Sequence, residues 1–565
     1  MQLYQSKLFK SVMVLTFSLV ITNCGGGGGS NDSTSNNTND TTTSTTTSNT
    51  SDEFSQTSYK GLNFYYKELP YTQYKLEQLS DDDFNALNEQ SKLLVANKLL
   101  NTFFFGYPLP QLKDKIDSGH FISDIRDALK EEKTDIQRVE TYILDEEYFH
   151  QYTYSEPQAI TILRRFYVME YLDKYYLNNW ISYILTQTIM FSPAYELSST
   201  HTPNISRVYN RIVTMLNKDS GMRFITYVHM MSEDNWRRFR SPEDNGREML
   251  EIFLFDTNDK DVPIAAKALQ NWKLNTDSDT LEIGLNQNTT PLHLFDTTIY
   301  NGDDFYRELV KSDAFTKGVT KRLVEFFFPE VTSTKKQQII DCIVSSHPER
   351  WQDILLQIVF SKEYLLYNHR TQSAEETFFS LAKKLYFKHH KRTIAYFKDY
   401  LEKMHQATMK YKLGKLERVP QDTLSFAYYN SFIRNEVLLR HSWEKYQDNY
   451  SAWGRQGWSD KLIDFDNFEY DTNDDIESLH SFINYLFNTV IARNVYDDEF
   501  EMFKNHMIES KDGKELFRNE FNMFITKNDE ETTKIKRDER KRNIVRVVFE
   551  YLSRIDMTYR QREVQ

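Results

Sequence analysis

Two cysteines in 565 residues cannot build a disulfide framework. Glycine (17) and proline (12) are scarce for this length, and apolar–polar alternation bounded by turn residues is rare, which argues against a β-sandwich or barrel. Basic residues (69) are outnumbered by acidic ones (82), giving a net charge of −13. Nucleic acid is therefore not an expected partner, because binding it relies on clustered Lys and Arg against phosphates. There is no H-E-x-x-H and no paired-Cys spacing. The acidic stretches 256–261 and 464–475 lack the EF-hand spacing with its turn glycine, and His389-His390 sits in a basic stretch that repels cations. No metal and no cofactor is expected.

The N-terminus carries an address. MQLYQSKLFK holds Lys7 and Lys10 and no acid, and SVMVLTFSLVIT follows it, as in the charged and apolar regions of a signal peptide over residues 1–23. The apolar run is shorter than the ~20 residues that cross a bilayer as a helix. Ile21-Thr22-Asn23-Cys24 resembles the lipobox of bacterial lipoproteins, whose cysteine receives diacylglycerol. Asn23 stands where Gly, Ala or Ser is usual, and plain secretion is the alternative. The resemblance implies lipidation of Cys24 and a membrane held through that lipid, since two acyl chains anchor stably. Gly25, where Asp would resemble an inner-membrane retention signal, points to the outer membrane of the cell envelope. From Cys24 to residue 57 the chain is almost all Gly, Ser, Thr, Asn and Asp, the composition of a disordered tether with a root-mean-square reach of roughly 30 Å. Loss of residues 1–23 removes two lysines and no acid, so the mature charge is −15.

Beyond the tether, apolar residues recur with the 3.6 period of helices, and the expected fold is all-α: a large multi-helix body with one irregular insertion. Ser241-Pro242 and Ser312-Asp313 read as helix starts. Ser346-His347-Pro348-Glu349 reads as a capping box before the apolar face of Trp351, Ile354, Leu355, Ile358 and Val359. Residues 158–191 read as one long or two shorter helices. Residues 273–304, dense in Thr, Asn, Asp and Gly, break the rhythm and suggest a short hairpin. An interruption near 412–425 divides a helical core, 58–415, from a C-terminal helical region, 416–565. Cys342 lies among Ile339, Ile340, Ile343 and Val344 and reads as a buried, inert thiol. The basic run 534–542 precedes an apolar face of Ile544, Val547, Val548, Tyr551 and Ile555, as at a solvated helix start; attraction to anionic lipid or an envelope polyanion is the alternative.

Several segments, in order, resemble the bacterial family known as domain of unknown function 1800. ANKLLNTFFFGYPLPQLKDKIDSGH (96–120) is similar to its first helix, Phe-Gly turn and second helix. PEDNGREMLEIF (242–253) resembles its Gly-Arg-Glu motif, and DVPIAAKALQNW (261–272) its Trp-terminated helix. SDAFTKGVTKRLVEFFFPEV and WQDILLQIVFSKEYL follow in the family's order. Pro242, Asp244, Lys267 and Asn271 depart from the pattern, and the family's His-Asp segment is only loosely echoed at His293 and Asp296. The resemblance implies an exported all-α protein and no particular reaction.

Arg247, Glu248 and Glu251 form the sharpest polar constellation. On a helix, Arg247 lies four residues from both Glu243 and Glu251, while Glu248 is turned by about 100°. One reading is a part-buried ion-pair network pinning the helix to its neighbours. The other is catalytic, with Glu248 or Glu251 as general acid or base tuned by Arg247. The 36 Tyr and 39 Phe read first as core side chains and second as sugar-stacking surfaces. Two function classes follow: a non-catalytic envelope-anchored binding or assembly module with a polymer or protein partner, or a hydrolase acting on polysaccharide or peptidoglycan.

Overall fold

Short polar side chains set many of the helix starts. Ser80, Asn88, Asp173, Ser232, Asn301, Ser312, Thr332 and Ser373 each accept a backbone N–H from the first turn that follows, satisfying a donor that has no partner within the helix. The structure is a computed structural model described over residues 54–59, 62–67, 72–143, 156–190, 205–254, 259–278, 280–386, 391–404, 475–509 and 544–564, with a few isolated positions between them.

The first described element is an antiparallel hairpin of β1 (Phe54–Tyr59) and β2 (Leu62–Lys67), in register from Phe54↔Lys67 to Tyr59↔Leu62. It begins inside the stretch read as tether, because the β-prone LNFYYK gives Phe54–Tyr59 a strand to pair with. Helices follow: α1 (Asp81–Asn85), α2 (Glu89–Thr102), α3 (Leu109–Asp117), α4 (Phe121–Ala128), α5 (Ile136–Ile143), α6 (Glu156–Val168), α7 (Lys174–Thr188), α8 (Ile205–Leu216), α9 (Met222–Met230), α10 (Glu233–Arg238), α11 (Pro242–Leu254) and α12 (Val262–Ala268). Two hairpins come next, β3 (Trp272–Asn275) with β4 (Thr280–Ile283) and β5 (Leu292–Leu294) with β6 (Thr297–Ile299). Then come α13 (Gly302–Lys311), α14 (Asp313–Phe327), α15 (Ser333–Val344), α16 (Trp351–Val359), β7 (Arg370–Thr371), α17 (Ala374–Lys384), α18 (Lys391–Lys403), α19 (Asp475–Ile491), α20 (Asp497–Lys504) and β8 (Arg560–Gln561). The fold is all-α, and the sheets among the described residues are two-stranded.

The irregular 273–304 segment is thus a pair of hairpins, the second closed by Phe295 and Asp296, both at positive φ as a two-residue turn demands. The 158–191 stretch divides into α6 and α7. The helix start at Ser346–Glu349 is a correction. A residue before proline is pushed out of the α region, and His347 instead turns left-handed (φ 50°) just past α15. The next helix, α16, opens later, at Trp351, where the Asp353 carboxylate accepts the N–H groups of Glu349 and Arg350. Cys342 is also corrected, to half-buried: Ile339, Ile340 and Ile343 take the inner face of α15 and leave the thiol at its edge.

Helix α7 is buried on every side from Tyr175 to Thr188 and packs against α8, α14 and α16. Several of its polar side chains bond inside the protein; Tyr209 donates to Asn179 at 2.6 Å and Asn178 to Asn217 at 2.8 Å. The Trp180 indole donates to the Thr102 carbonyl at 2.7 Å, locking α7 to the end of α2. The C-terminal strand β8 pairs with β7, and the Arg562 guanidinium donates to the Ile491 carbonyl at 2.6 Å, so the last described residues are stitched into the core. No described helix is long and apolar enough to cross a membrane. The signal peptide, Cys24, most of the tether, the 412–425 interruption, His389-His390, most of 464–475 and the basic run 534–542 lie outside the described residues. Ile544 and Val548 are buried, as the apolar face after the basic run requires.

Candidate functional site

A cleft grows from the FFFGYP turn between α2 and α3. Helix α2 ends with Phe104 in the left-handed region (φ 59°), a position normally given to glycine. Phe104 N–H donates to Asn101 O at 2.8 Å and Phe105 N–H to Leu100 O at 3.0 Å, which closes the helix end. The strain of a bulky residue there is of order 1–3 kcal/mol. It is offset by packing: the Phe104 ring meets Phe166, Tyr183 and Phe379 with centroids 5.3–6.2 Å apart, and Tyr176 donates to its carbonyl at 2.7 Å. Gly106 follows because a Cβ there would stand 2.6 Å from the Ser380 carbonyl of α17. Helix α17 ends the same way, with Tyr386 at φ 55°.

Between these two helix ends lies a half-open cleft of about 220 Å³, somewhat below the ~300–1,000 Å³ of sites that enclose drug-sized ligands. Its walls are Phe105, Tyr107, Phe166, Tyr167, Phe379 and Tyr386, and its polar groups include Gln111, Glu170 and Lys383. The Lys383 amine donates to the Met169 carbonyl, just past α6, at 2.6 Å and lies 4.7 Å from the Phe105 ring centroid. Burial pulls it down to about 8, with the nearby Glu170 carboxylate acting the other way. Burial pushes the Tyr107 phenol up to about 12, and Lys115 sits over its ring at 4.8 Å. Glu170 pairs with Arg138 at 3.3 Å and also lines an adjoining cavity of about 110 Å³ beside Tyr171.

A second, smaller recess of about 20 Å³ lies on the other side of α17, between α2 and the C-terminal strand. That is room for about one water. Two buried amines face it. Lys98 donates to the carbonyls of Asn368 and Arg562, and Lys384 to Asn101 Oδ1 at 3.0 Å. Burial alone pulls Lys384 down to about 7. Several buried charges elsewhere are paired: Arg370 with Glu376, Asp234 with both Arg207 and Arg211, and Arg493 with Glu499.

The residues singled out from sequence sit apart from both cavities. Arg247, Glu248 and Glu251 lie on α11, whose inner face of Gly246, Met249, Leu250, Ile252 and Phe253 is buried; Gly246 comes so close to α12 that a Cβ would meet that of Ala265 at 2.9 Å. Arg247 is 40% exposed, with loose pairs to Glu243 (3.8 Å) and Asp259 (3.6 Å) whose carboxylates are more exposed still. It makes no ion pair with Glu251 among the described residues. Arg247, Glu248 and Glu251 are thus part-buried beside the packing stripe of α11, and the ion pairs of Arg247 are loose and reach exposed carboxylates. Glu248 is half-buried; burial, then Glu251 and Asp244, push it up to about 6. His293 is exposed on β5, its Nδ1 3.3 Å from Thr298 Oγ1. No group of three or more His, Cys, Asp or Glu suited to a metal occurs among the described residues.

No protein-family model, curated protein or solved structure matches the chain. The cleft therefore stands on its own geometry. Sequence reading passed over Lys383 because its neighbours come from residues 105, 166 and 170, far off in the chain. The signal within reach was the crowded FFFGYP turn, a single glycine among aromatics.

Proposed function

We propose that the chain is an envelope-anchored lipoprotein, lipidated at Cys24 and held at the outer membrane, whose body is a non-catalytic binding module with its ligand site in the Lys383 cleft. The observation that carries the binding reading is the cleft's make-up: aromatic walls around one amine, with the carboxylates of Glu248 and Glu251 on a separate helix away from it. The order of the FFFGYP, Gly-Arg-Glu and Trp-terminated segments supports a place in the domain of unknown function 1800 family. A test uses two variants of the full chain. Cys24→Ala should lose lipid labelling and move to the soluble fraction. Gln111→Trp, at the exposed mouth of the cleft, should abolish binding of small ring compounds followed by ligand-observed NMR while leaving the melting temperature unchanged. Undiminished binding to Gln111→Trp would move the ligand site elsewhere.

The second reading, a hydrolase of polysaccharide or peptidoglycan, draws on Glu248, which at about 6 is poised as a general acid would be. It requires glycan cleavage by the purified chain that Glu248→Gln removes.

A further inference from the structure

The amine of Lys383 is under-satisfied. An ammonium has three donors, and Lys383 spends one on the Met169 carbonyl, with its remaining contact the face of Phe105. The one carboxylate among the described residues lining the cleft, Glu170, is already paired with Arg138. The charge left unmatched inside an aromatic enclosure is therefore positive, and water reaches it only through the open side. A group that fills the cleft must offer an apolar face to Phe105, Phe166 and Phe379 and oxygen acceptors to the amine. Charge-assisted hydrogen bonds are the strongest available there, which favours a carboxylate over a neutral acceptor.

We propose that the cleft takes a ring-shaped group bearing a carboxylate, the ring lying against the aromatic walls and the carboxylate on the Lys383 amine. The inference rests on the binding reading above and names the chemistry of its ligand. The volume of about 220 Å³ suits one ring with its substituent and no more. The groups facing the amine are Glu170, from the segment after α6, and the phenols of Tyr107, Tyr167 and Tyr386; Lys115 stands over Tyr107. With Lys383 at about 8 and Tyr107 at about 12, the amine discharges first as pH rises. Affinity for the acid should then fall toward tenfold for each pH unit above about 8.

The experiment titrates the full chain carrying Cys24→Ala with benzoate, benzamide and benzylamine from pH 6.5 to 9.5, by ligand-observed NMR. The proposal expects benzoate to bind at least roughly tenfold more tightly than benzamide at pH 7, and this preference to fade above pH 8. Lys383→Met should erase the preference, and Lys383→Arg should keep it and remove its pH dependence. The wild-type pH profile needs no variant to fold. Competition by an oligomeric uronic acid would assign the site to an acidic envelope polymer, and its absence beside tight benzoate binding to a free small acid; both keep the proposal. Equal binding of benzoate and benzamide, blocked together by Gln111→Trp, would overturn the carboxylate assignment and leave the binding reading standing. A preference for benzylamine would overturn it in favour of Glu170. Binding of none of the three would remove the cleft as a ligand site altogether.

Discussion

Replacing Lys384 by methionine should make the protein more stable, and by an amount that depends on pH. Its amine is buried beside the smaller recess and has no carboxylate partner among the described residues; the hydrogen bond it makes there goes to Asn101 Oδ1, 3.0 Å away. Burial holds it at about 7 against an ordinary value of 10.5. At roughly 1.4 kcal/mol per pH unit, keeping that amine in the fold costs about 5 kcal/mol at neutral pH and below. Methionine fills nearly the same space. It loses a hydrogen bond worth about 1 kcal/mol, but Asn101 Oδ1 is not orphaned, because the Ser380 hydroxyl also donates to it. Some of the remaining gain goes to imperfect packing, which leaves about 2–4 kcal/mol at pH 7. The sign with pH follows from the lowered value. Between about 7 and 10.5 the unfolded chain still holds a proton that the folded chain has released, so the wild type gains stability as pH rises, and the variant's advantage shrinks by roughly 1.4 kcal/mol per unit. Guanidinium unfolding of both proteins by circular dichroism at pH 6, 7, 8.5 and 10 measures the difference directly. A variant less stable than wild type at pH 7, or an advantage that does not decline toward pH 10, would refute the reasoning.

Other perturbations sort the charges by their surroundings. Arg370→Met strands the buried Glu376 carboxylate, which accepts from the guanidinium at 2.9 Å, and should lower stability by roughly 3–5 kcal/mol in the same unfolding assay. Arg247→Ala should lower it by less than about 1 kcal/mol, and its effect should add to that of Glu251→Gln, since the two side chains do not pair. A non-additive double mutant would mean that they do. Glu248, raised to about 6, is penalised once pH climbs from about 4.5 through 6. Glu248→Gln should therefore raise stability by about 1 kcal/mol at pH 7, after allowance for solvent, and change nothing at pH 4.

Sequence alone was enough for the local and one-dimensional features. Period and capping residues gave the all-α class, and Ser312 and Ser241 opened helices as read, because a cap needs only its own next turn. The hairpins of 273–304 were visible as a break in periodicity. His347-Pro348 misled because the capping-box spacing was present while the residue before proline could not enter a helix, and Asp353 supplied the cap instead. Arg247, Glu248 and Glu251 were correctly placed on one helix, yet their exposure depended on which stripe of that helix faced α12 and α14, settled by the tight approaches at Gly246 and Gly318. Lys383 and Lys384 make the same point most sharply. They are adjacent in sequence and alike in chemistry, but a step of about 100° around α17 sends one toward an aromatic cleft and the other toward a much smaller recess beside α2. Sequence fixes that they part. Only the packing of α2, α6 and the C-terminal strand around α17 decides what each of them meets.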